Sequence, residues 1–213
     1  QANATVEEKP SATDEVNLSA MVSTIQELER RGHTYRSDGS IYFKISTLAG
    51  YGKLARLDHE GMQDGARVDS DDYAKEHARD FALWKATEPD EPSWDFGVGG
   101  GRPGWHIECS AMALRLLEGA PIDIHAGGVD LIFPHHENEI AQSEGSTGET
   151  FSRFWVHVEH LLLDKDVKMS KSLGNVVTVQ EILQQGYRAS ALRYVLISTH
   201  YRKQLRFTCE SLA

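Results

Sequence analysis

The sequence predicts an α/β fold, because short apolar strands alternate with helices in the second half of the chain. A helix is predicted from about 106 to 117, a buried strand at 122–125, and a helix from about 134 to 143. A strand-rich run follows at 155–163, and this order is typical of a parallel sheet covered by helices. With 213 residues and 40% hydrophobic composition, the chain can bury the core of one large domain or two small ones.

The first part of the chain predicts one long helix and a hairpin. Apolar residues recur at helical spacing from 15 to 31, and Gly32 can end the helix there. Two apolar runs, 34–35 and 41–45, flank a turn at 37–40 that contains Asp and Gly, which predicts a β-hairpin.

The remaining segments predict further helices and one glycine-rich stretch. Helices are expected from about 73 to 84, from 179 to 185 and from 190 to 197. The polar opening stretch to about residue 14 should have little order. Five glycines in nine residues at 96–104 permit sharp turns and the close approach of another group, with a flexible linker as the alternative.

The charge balance argues against a protein that coats nucleic acid, since 32 acidic residues outnumber 22 basic ones. One segment near the C-terminus differs, because it contains basic residues and no acidic side chain. Its basic residues are Arg188, Arg193, His200, Arg202, Lys203 and Arg206. They form either a solvated helix face or a strip that contacts phosphates, and both interpretations stay open.

Composition also bears on the compartment. No apolar run reaches the roughly 18 residues that a membrane helix needs, and no secretory leader is visible, so we expect a cytoplasmic protein without a membrane partner. Cys109 and Cys209 are too few for a disulfide framework and indicate a reducing compartment, where a thiol can bind metal. Because the sequence begins at Gln1, we expect a processed product or a piece of something longer.

A histidine and a carboxylate lie four residues apart in the segment 134–139. On a helix, this spacing places His135 and Glu139 on one face, whereas His136 would face elsewhere. Such a pair is often only hydrogen-bonded, but together with Cys109 it supplies three chemical types of zinc ligand. A closed structural zinc site has four ligands, so this site is either open or completed by residues outside the chain.

Two lysines, Lys168 and Lys171, lie three residues apart beside hydroxyl side chains and shortly before Gly174. A mobile loop with these charges suits the triphosphate of a nucleotide. A charge-rich surface turn is the alternative that composition alone favours.

The amino-acid sequences of this loop and of other segments resemble those of a known family. Lys168-Met169-Ser170-Lys171-Ser172 resembles, residue for residue, the lysine signature loop of class I aminoacyl-tRNA synthetases. The segments 101–112, 123–131 and 135–139 resemble the cysteinyl branch of that family. The motifs occur in the family's order and spacing, and the similarity extends from about Thr13 to the end of the chain.

The resemblance implies roles for particular side chains. The implied zinc ligands are Cys109, His135 and Glu139. The implied ATP-binding residues are Lys168, Met169, Ser170, Lys171 and Ser172, with the two lysines acting in catalysis. The implied amino-acid pocket contains Trp105, His125 and Asp130, with Asp130 facing the ammonium group and Trp105 alternatively a core residue.

The resemblance also implies a domain arrangement. Residues 1–93 would be a connective insertion, 94–160 the second half of a Rossmann-like catalytic domain, and 161–213 the lysine loop with the start of a helical stem-contact region. The first nucleotide-binding half of the family, with its His-Ile-Gly-His signature and a further zinc-binding cysteine, has no counterpart in this sequence. The family's anticodon-binding region has none either.

The implied activity is the ATP-dependent activation of L-cysteine and its transfer to tRNA(Cys), with Zn²⁺ in the site and Mg²⁺ accompanying ATP. We expect this activity to need the missing N-terminal half. A cysteine:amino-sugar ligase of thiol biosynthesis is one alternative, although the segment 137–143 resembles the synthetase more closely. A non-catalytic zinc- or RNA-binding paralogue is the other.

Overall fold

The computed structural model describes residues 11–57, 80–163, 167–168 and 177–212, with the backbone alone at 167–168. These residues form two compact units. The first contains the described residues up to Ile124 together with Ile132–Phe154, and the second contains His125–Leu131 and the described residues from Trp155 onward.

The secondary structure of the described residues agrees in class with the predicted α/β fold. The helices are α1 (Glu15–Arg30), α2 (Trp105–Leu116), α3 (Glu137–Thr147), α4 (Val179–Gln184) and α5 (Ala189–Ser198). The strands are β1 (Thr34–Ser37), β2 (Ser40–Phe43), β3 (Phe81–Lys85), β4 (Arg102–Pro103), β5 (Ile122–Gly128), β6 (Ser152–Val158), β7 (Leu161–Leu163), β8 (Val167–Lys168) and β9 (Leu205–Arg206). Within these described ranges, no helix is both long and apolar enough to cross a membrane.

Helix α1 supplies one side of the core of the first unit. Its buried apolar residues are Leu18, Met21, Val22, Ile25 and Leu28, which confirms the predicted helical stripe. This stripe belongs to the same buried cluster as Ile107 and Ala111 of α2 and Ala141 of α3. Helices α2 and α3 therefore lie against a common apolar core, and that core fixes the backbone of both.

Strands β1 to β4 form an antiparallel sheet in the order in which they occur in the chain. The predicted hairpin is confirmed, with Asp38 and Gly39 at positive φ in its turn. The helix predicted from 73 to 84 is wrong at Phe81–Lys85, which is strand β3, while 73–79 lie outside the described residues. Because β3 pairs with β2 on one side and β4 on the other, its backbone hydrogen bonds are made across the sheet rather than along a helix.

At its C-terminal end, the glycine-rich segment is not a flexible linker, because its backbone lies in close contact with that of strand β3. Gly104 donates its N–H to the Leu83 carbonyl oxygen at 2.9 Å, directly before α2 begins. A Cβ atom at Gly104 would overlap the Ala82 carbonyl oxygen. The backbone before α2 is therefore seated on β3 at a distance that only glycine allows.

Replacing Gly104 with alanine should destabilise the first unit through this steric overlap. The φ of −70° at Gly104 suits any residue, so the cost comes from the contact with β3 rather than from backbone strain. We expect the free energy of unfolding, measured with urea, to fall by about 2–3 kcal/mol. Gly100→Ala is the matched control, since its new Cβ would lie 3.5 Å from Ser93 Oγ, an ordinary contact. Equal unfolding midpoints for both variants would contradict this close approach.

The remaining elements follow the predicted order, with one shift. Helix α3 begins at Glu137, three residues later than predicted, because Phe133 has extended backbone angles inside the irregular π turn Ile132–His136. Strands β5 and β6, with α3 between them in the chain, pair in a two-stranded sheet. This βαβ order agrees with the α/β prediction.

The second unit has its own apolar core. Its buried cluster contains Ile182 of α4, Leu192 and Val195 of α5, and also Phe207 and Leu212. Strand β7 pairs in parallel with β9 and antiparallel with β8. The helices predicted at 179–185 and 190–197 are confirmed as α4 and α5, and α4 begins with a capping box between Thr178 and Glu181.

Candidate functional site

The first turns of α2 carry three aromatic or metal-binding side chains. Trp105 is the first residue of the helix, His106 is the second, and Cys109 follows one turn after Trp105. Because Gly104 fixes the start of α2 on strand β3, the sheet determines where these side chains lie. Ile107 lies between His106 and Cys109 in the chain and is fully buried, so it packs the opposite face of the helix into the core.

The residues around the start of α3 carry the other metal-binding side chains. His135 and Glu139 are one helical turn apart, and their side chains are 7% and 1% exposed. Burial at this level is uncommon for a carboxylate and an imidazole, which need polar partners when water is removed. Both side chains therefore belong to a specific polar site rather than to a solvated helix face.

Cys109, His135 and Glu139 converge in the first unit. One sulfur, one nitrogen and one oxygen atom from these residues all lie within 4.8 Å of one another. The α2 and α3 backbones thus bring together residues 26 and 30 positions apart in the chain, as the sequence spacing predicts. A thiolate, an imidazole and a carboxylate are all common zinc ligands, so the chemistry of this donor set fits zinc.

His106 lies directly behind the imidazole of His135. The two Nδ1 atoms are 2.9 Å apart and share a hydrogen bond, whose direction depends on the tautomers. The Nε2 atom of His135 is on the other side of the ring, 3.9 Å from Glu139 Oε1. The hydrogen bond from His106 therefore orients the His135 ring with Nε2 toward the convergence point, as a partner behind a metal ligand does. Residue spacing along the chain did not predict this contact, which joins α2 to the turn before α3.

His136 does not face away from the site, so that prediction is wrong. Its Nε2 atom lies 3.8 Å from Glu139 Oε2, and its side chain is 2% exposed. The i,i+3 spacing of His136 and Glu139 was the available signal, because side chains at this spacing are also neighbours on a helix. The Glu139 carboxylate is therefore approached by two imidazoles, His135 on one oxygen and His136 on the other.

The thiol of Cys109 holds its proton strongly in the absence of a cation. Partial burial of the thiol raises its pKa to about 11, and the negative charges of Glu139 and Glu108 act in the same direction. Burial also raises the pKa of Glu108. Because this site disfavours additional negative charge, a cation bound there would strongly lower the pKa of the Cys109 thiol.

A buried polar bridge joins α2 to α3 behind the converging residues. The Gln142 side-chain amide donates to Ser110 Oγ at 3.2 Å and to the Asn138 carbonyl oxygen at 2.9 Å. Ser110 is the neighbour of Cys109, and Gln142 and Ser110 are both fully buried. The bridge thus holds the two helices together one residue away from the Cys109 thiol.

The three residues predicted for the amino-acid pocket belong to different units. Trp105, in the first unit, is 57% exposed and packs on the His135 ring with centroids 4.5 Å apart, so it is not a core residue. In the second unit, His125 packs against Trp155 with centroids 4.6 Å apart. Asp130 lies in a short 3-10 turn, with Oδ1 4.0 Å from His160 Nδ1. Their shared role in a pocket stays a prediction.

The lysine loop falls largely outside the described residues. Lys168 is described only by its backbone, in β8, and Met169, Ser170, Lys171 and Ser172 are not described. Their roles in ATP binding and catalysis therefore stay predictions.

The basic segment of the second unit is exposed. All of its basic residues are exposed: Arg188, Arg193, His200, Arg202, Lys203 and Arg206. Tyr201 stacks on His200 with centroids 4.7 Å apart, and the Arg202 guanidinium lies 5.5 Å from the Tyr201 ring centroid. Exposure is compatible with both a solvated face and a phosphate-contacting strip, so the alternatives of the sequence analysis remain.

Solved structures with similar folds are aminoacyl-tRNA synthetases. The methionyl-tRNA synthetase of Mycobacterium tuberculosis in complex with methionyl-adenylate matches 97% of this chain and 50% of its own, with a TM-score of 0.61. The sequence identity in this comparison is 16%, so the likeness concerns the fold alone. The fold is that of a class I synthetase catalytic domain, in agreement with the predicted Rossmann-like α/β class.

Sequence comparisons are more specific. A family model described as tRNA synthetases class I (C) catalytic domain matches residues 3–213. The cysteine–tRNA ligase of Solibacter usitatus is 57% identical over 196 residues, which are 92% of this chain and 42% of the relative. That of Leptospira interrogans is 52% identical over 210 residues, 98% of this chain and 44% of the relative.

The chain therefore belongs to the cysteine-type family of class I aminoacyl-tRNA synthetase catalytic domains. It spans less than half the length of the curated relatives that it matches.

Proposed function

We propose that this chain is part of a cysteine–tRNA ligase, which activates L-cysteine with ATP and transfers it to tRNA(Cys). The observation that carries the proposal is the convergence of Cys109, His135 and Glu139 in a chain whose relatives are named cysteine–tRNA ligases. The alternatives, an amino-sugar ligase and a non-catalytic paralogue, are not favoured by these names.

The proposed metal at this point is zinc, with Cys109, His135 and Glu139 as ligands. Serine differs from cysteine only by oxygen in place of sulfur, and a pocket that recognises shape discriminates poorly between such similar side chains. Bound zinc would supply a soft Lewis acid that prefers the substrate thiolate to a neutral hydroxyl. His106 holds the His135 ring in the orientation that this role requires.

The proposed reaction has two steps and needs no protein nucleophile. The cysteine carboxylate attacks the α-phosphorus of ATP, which forms cysteinyl-adenylate and releases pyrophosphate. A terminal ribose hydroxyl of tRNA(Cys) then attacks the carbonyl carbon, and AMP leaves. In this scheme Asp130 pairs with the ammonium group of cysteine, while Trp105 and His125 form walls of the pocket.

The proposed contribution of the lysine loop is electrostatic. Lys168 and Lys171 would neutralise the triphosphate as charge develops on it, with Mg²⁺ accompanying ATP. Met169, Ser170 and Ser172 would shape the loop around the nucleotide. The assignment of residues 1–93, 94–160 and 161–213 to the insertion, the catalytic half and the lysine-loop region belongs to the same proposal, as does a cytoplasmic location.

The test joins this chain to the first nucleotide-binding half and the anticodon-binding region of a cysteine–tRNA ligase and measures cysteine-dependent ATP–pyrophosphate exchange. We expect exchange from the joined protein and none from the 213-residue chain alone. Transfer of radiolabelled cysteine to tRNA(Cys), but not to an amino sugar, should follow. Exchange without tRNA charging would refute the ligase assignment, and a joined, folded protein without exchange would favour the non-catalytic paralogue.

A further inference from the structure

The first turn of α3 makes a second set of buried contacts, with the segment 51–55. Glu137 Oε1 accepts the backbone N–H of Gly52 at 2.7 Å, and Glu137 Oε2 accepts that of Ala55 at 2.9 Å. The Tyr51 hydroxyl donates to Asn138 Oδ1. We call Glu137, Asn138, the Tyr51 side chain and the backbone N–H groups of Gly52 and Ala55 the α3 clamp.

The α3 side chains of the clamp are buried, so the loss of their hydrogen bonds would leave polar groups without water to replace them. Glu137 is 1% exposed and Asn138 is 2% exposed. A buried carboxylate needs donors to replace water, and both of its oxygens find them in backbone N–H groups. Burial raises the pKa of Tyr51, so its hydroxyl stays a donor at physiological pH.

The clamp acts at the junction of two helical segments. Glu137 is the first residue of α3, and the π turn Ile132–His136 runs directly into it. The preceding turn is irregular, with Phe133 in an extended conformation. The position of the first turn of α3 therefore depends on its tertiary contacts, among which the two bonds of Glu137 are charge-assisted.

The α3 residues of the clamp lie between two ligands of the candidate metal centre, His135 in the π turn and Glu139 in α3. Glu137 and Asn138, with His136, separate these two ligands in the chain, so the same stretch holds the segment 51–55 with two side chains and brings two others within 4.8 Å of Cys109. A shift of this turn would move both imidazole and carboxylate relative to the thiol of α2.

We infer that Glu137 is a positioning residue for the metal centre, acting through the α3 clamp with the help of Tyr51 and Asn138. It contacts no reacting atom in this role, and it holds His135 and Glu139 in register with Cys109. The inference rests on the proposed zinc site, and it adds residues that the ligand spacing does not include.

The experiment measures the zinc affinity of this chain joined to the first nucleotide-binding half of a cysteine–tRNA ligase, which supplies the further zinc-binding cysteine, by competition with a chromophoric chelator. Glu137→Ala removes both acceptors and should weaken zinc binding about 10–100-fold, the usual effect of losing a residue that orients metal ligands. Glu137→Gln keeps one acceptor and places an amide N–H against the other donor, so we expect an intermediate loss. Tyr51→Phe should show a smaller loss in the same direction.

Lys53→Met is the matched control within the same segment. Lys53 pairs at 2.7 Å with Glu144, about two turns beyond Glu137 in α3, through a side chain that is 57% exposed. The zinc affinity of the Lys53→Met variant should stay within about twofold of that of the unchanged chain, because exposed ion pairs contribute little to stability.

A second readout separates positioning from general stability. With Co²⁺ in place of zinc, the thiolate-to-metal absorption band reports the ligand geometry of the folded protein. Positioning predicts that the band changes in Glu137→Gln at a temperature where circular dichroism shows the native fold. A purely structural role would lower the unfolding temperature and leave the band and the zinc affinity unchanged.

The outcomes distinguish this inference from the proposed function. If the unchanged chain binds zinc and both Glu137 variants bind it equally well, the inference is refuted and the metal site stands. If the joined protein, with all its zinc ligands present and this chain unchanged, binds no zinc, the site and the inference fail together. Should Glu137→Ala not fold, Glu137→Gln and Tyr51→Phe decide the question by the same measurements.

Discussion

Cys109→Ser should lower the zinc affinity of the chain more than about 100-fold, since loss of a ligand should exceed the 10–100-fold cost of losing a partner behind one. The change replaces a soft thiolate with a neutral hydroxyl of similar size, and Cys109 lies within 4.8 Å of the other two candidate ligand atoms. Chelator competition measures the affinity, and circular dichroism checks that the fold is unchanged.

Cys209→Ser provides the control for Cys109→Ser. Cys209 is also a free, exposed cysteine, but it lies in the second unit and belongs to no group of potential metal ligands found among the described residues. Its replacement should leave zinc affinity unchanged. A loss in Cys209→Ser with none in Cys109→Ser would show that the metal is held elsewhere.

Lys171→Ala should reduce cysteine-dependent pyrophosphate exchange about 100- to 1,000-fold in the chain joined to an N-terminal half, the range seen when one preorganised charge-stabilising group is removed. The loss should appear mainly in kcat, because the proposed role of the lysine is to neutralise charge that develops during the reaction. Steady-state rates across a range of ATP concentrations separate kcat from KM.

The nearby Lys165→Ala tests whether any positive charge in this region suffices. Lys165 precedes the segment that resembles the family's signature loop. Its replacement should change the exchange rate by less than about threefold, because Lys165 lies outside the segment that resembles the signature loop and its loss removes only one of several positive charges. A comparable loss in both variants would indicate a diffuse electrostatic effect and contradict the role assigned to Lys171.

Local sequence patterns were sufficient to predict the elements that are defined by residues close together in the chain. The stripe from Leu18 to Leu28 predicted α1, and the turn at Asp38 and Gly39 predicted the β1–β2 hairpin. The segment Phe81–Lys85 was predicted incorrectly because a strand paired on both edges and buried from Phe81 to Trp84 shows no alternation of apolar and polar residues.

The candidate site also has a part that the sequence predicted and a part that it did not. Cys109, His135 and Glu139 were predicted from ligand chemistry, helical spacing and family resemblance, and the structure brings them together. The contacts of His106 with His135 and of Glu137 with Gly52 were not predicted, because they join segments 29 and 85 residues apart. Spacing along one helix contains no information about partners on another segment.

The α3 clamp also has a consequence for the order of folding. Its bonds from Glu137 close loops of 85 and 82 residues, and closing long loops costs conformational entropy that short-range contacts do not. The backbone hydrogen bonds within helix α1 and within the β1–β2 hairpin join residues close in the chain, so these elements can begin to form before the segment 51–55 meets α3. Capture of a metal ion at Cys109, His135 and Glu139 would then be a late event, and its rate would report completion of the first unit rather than its nucleation.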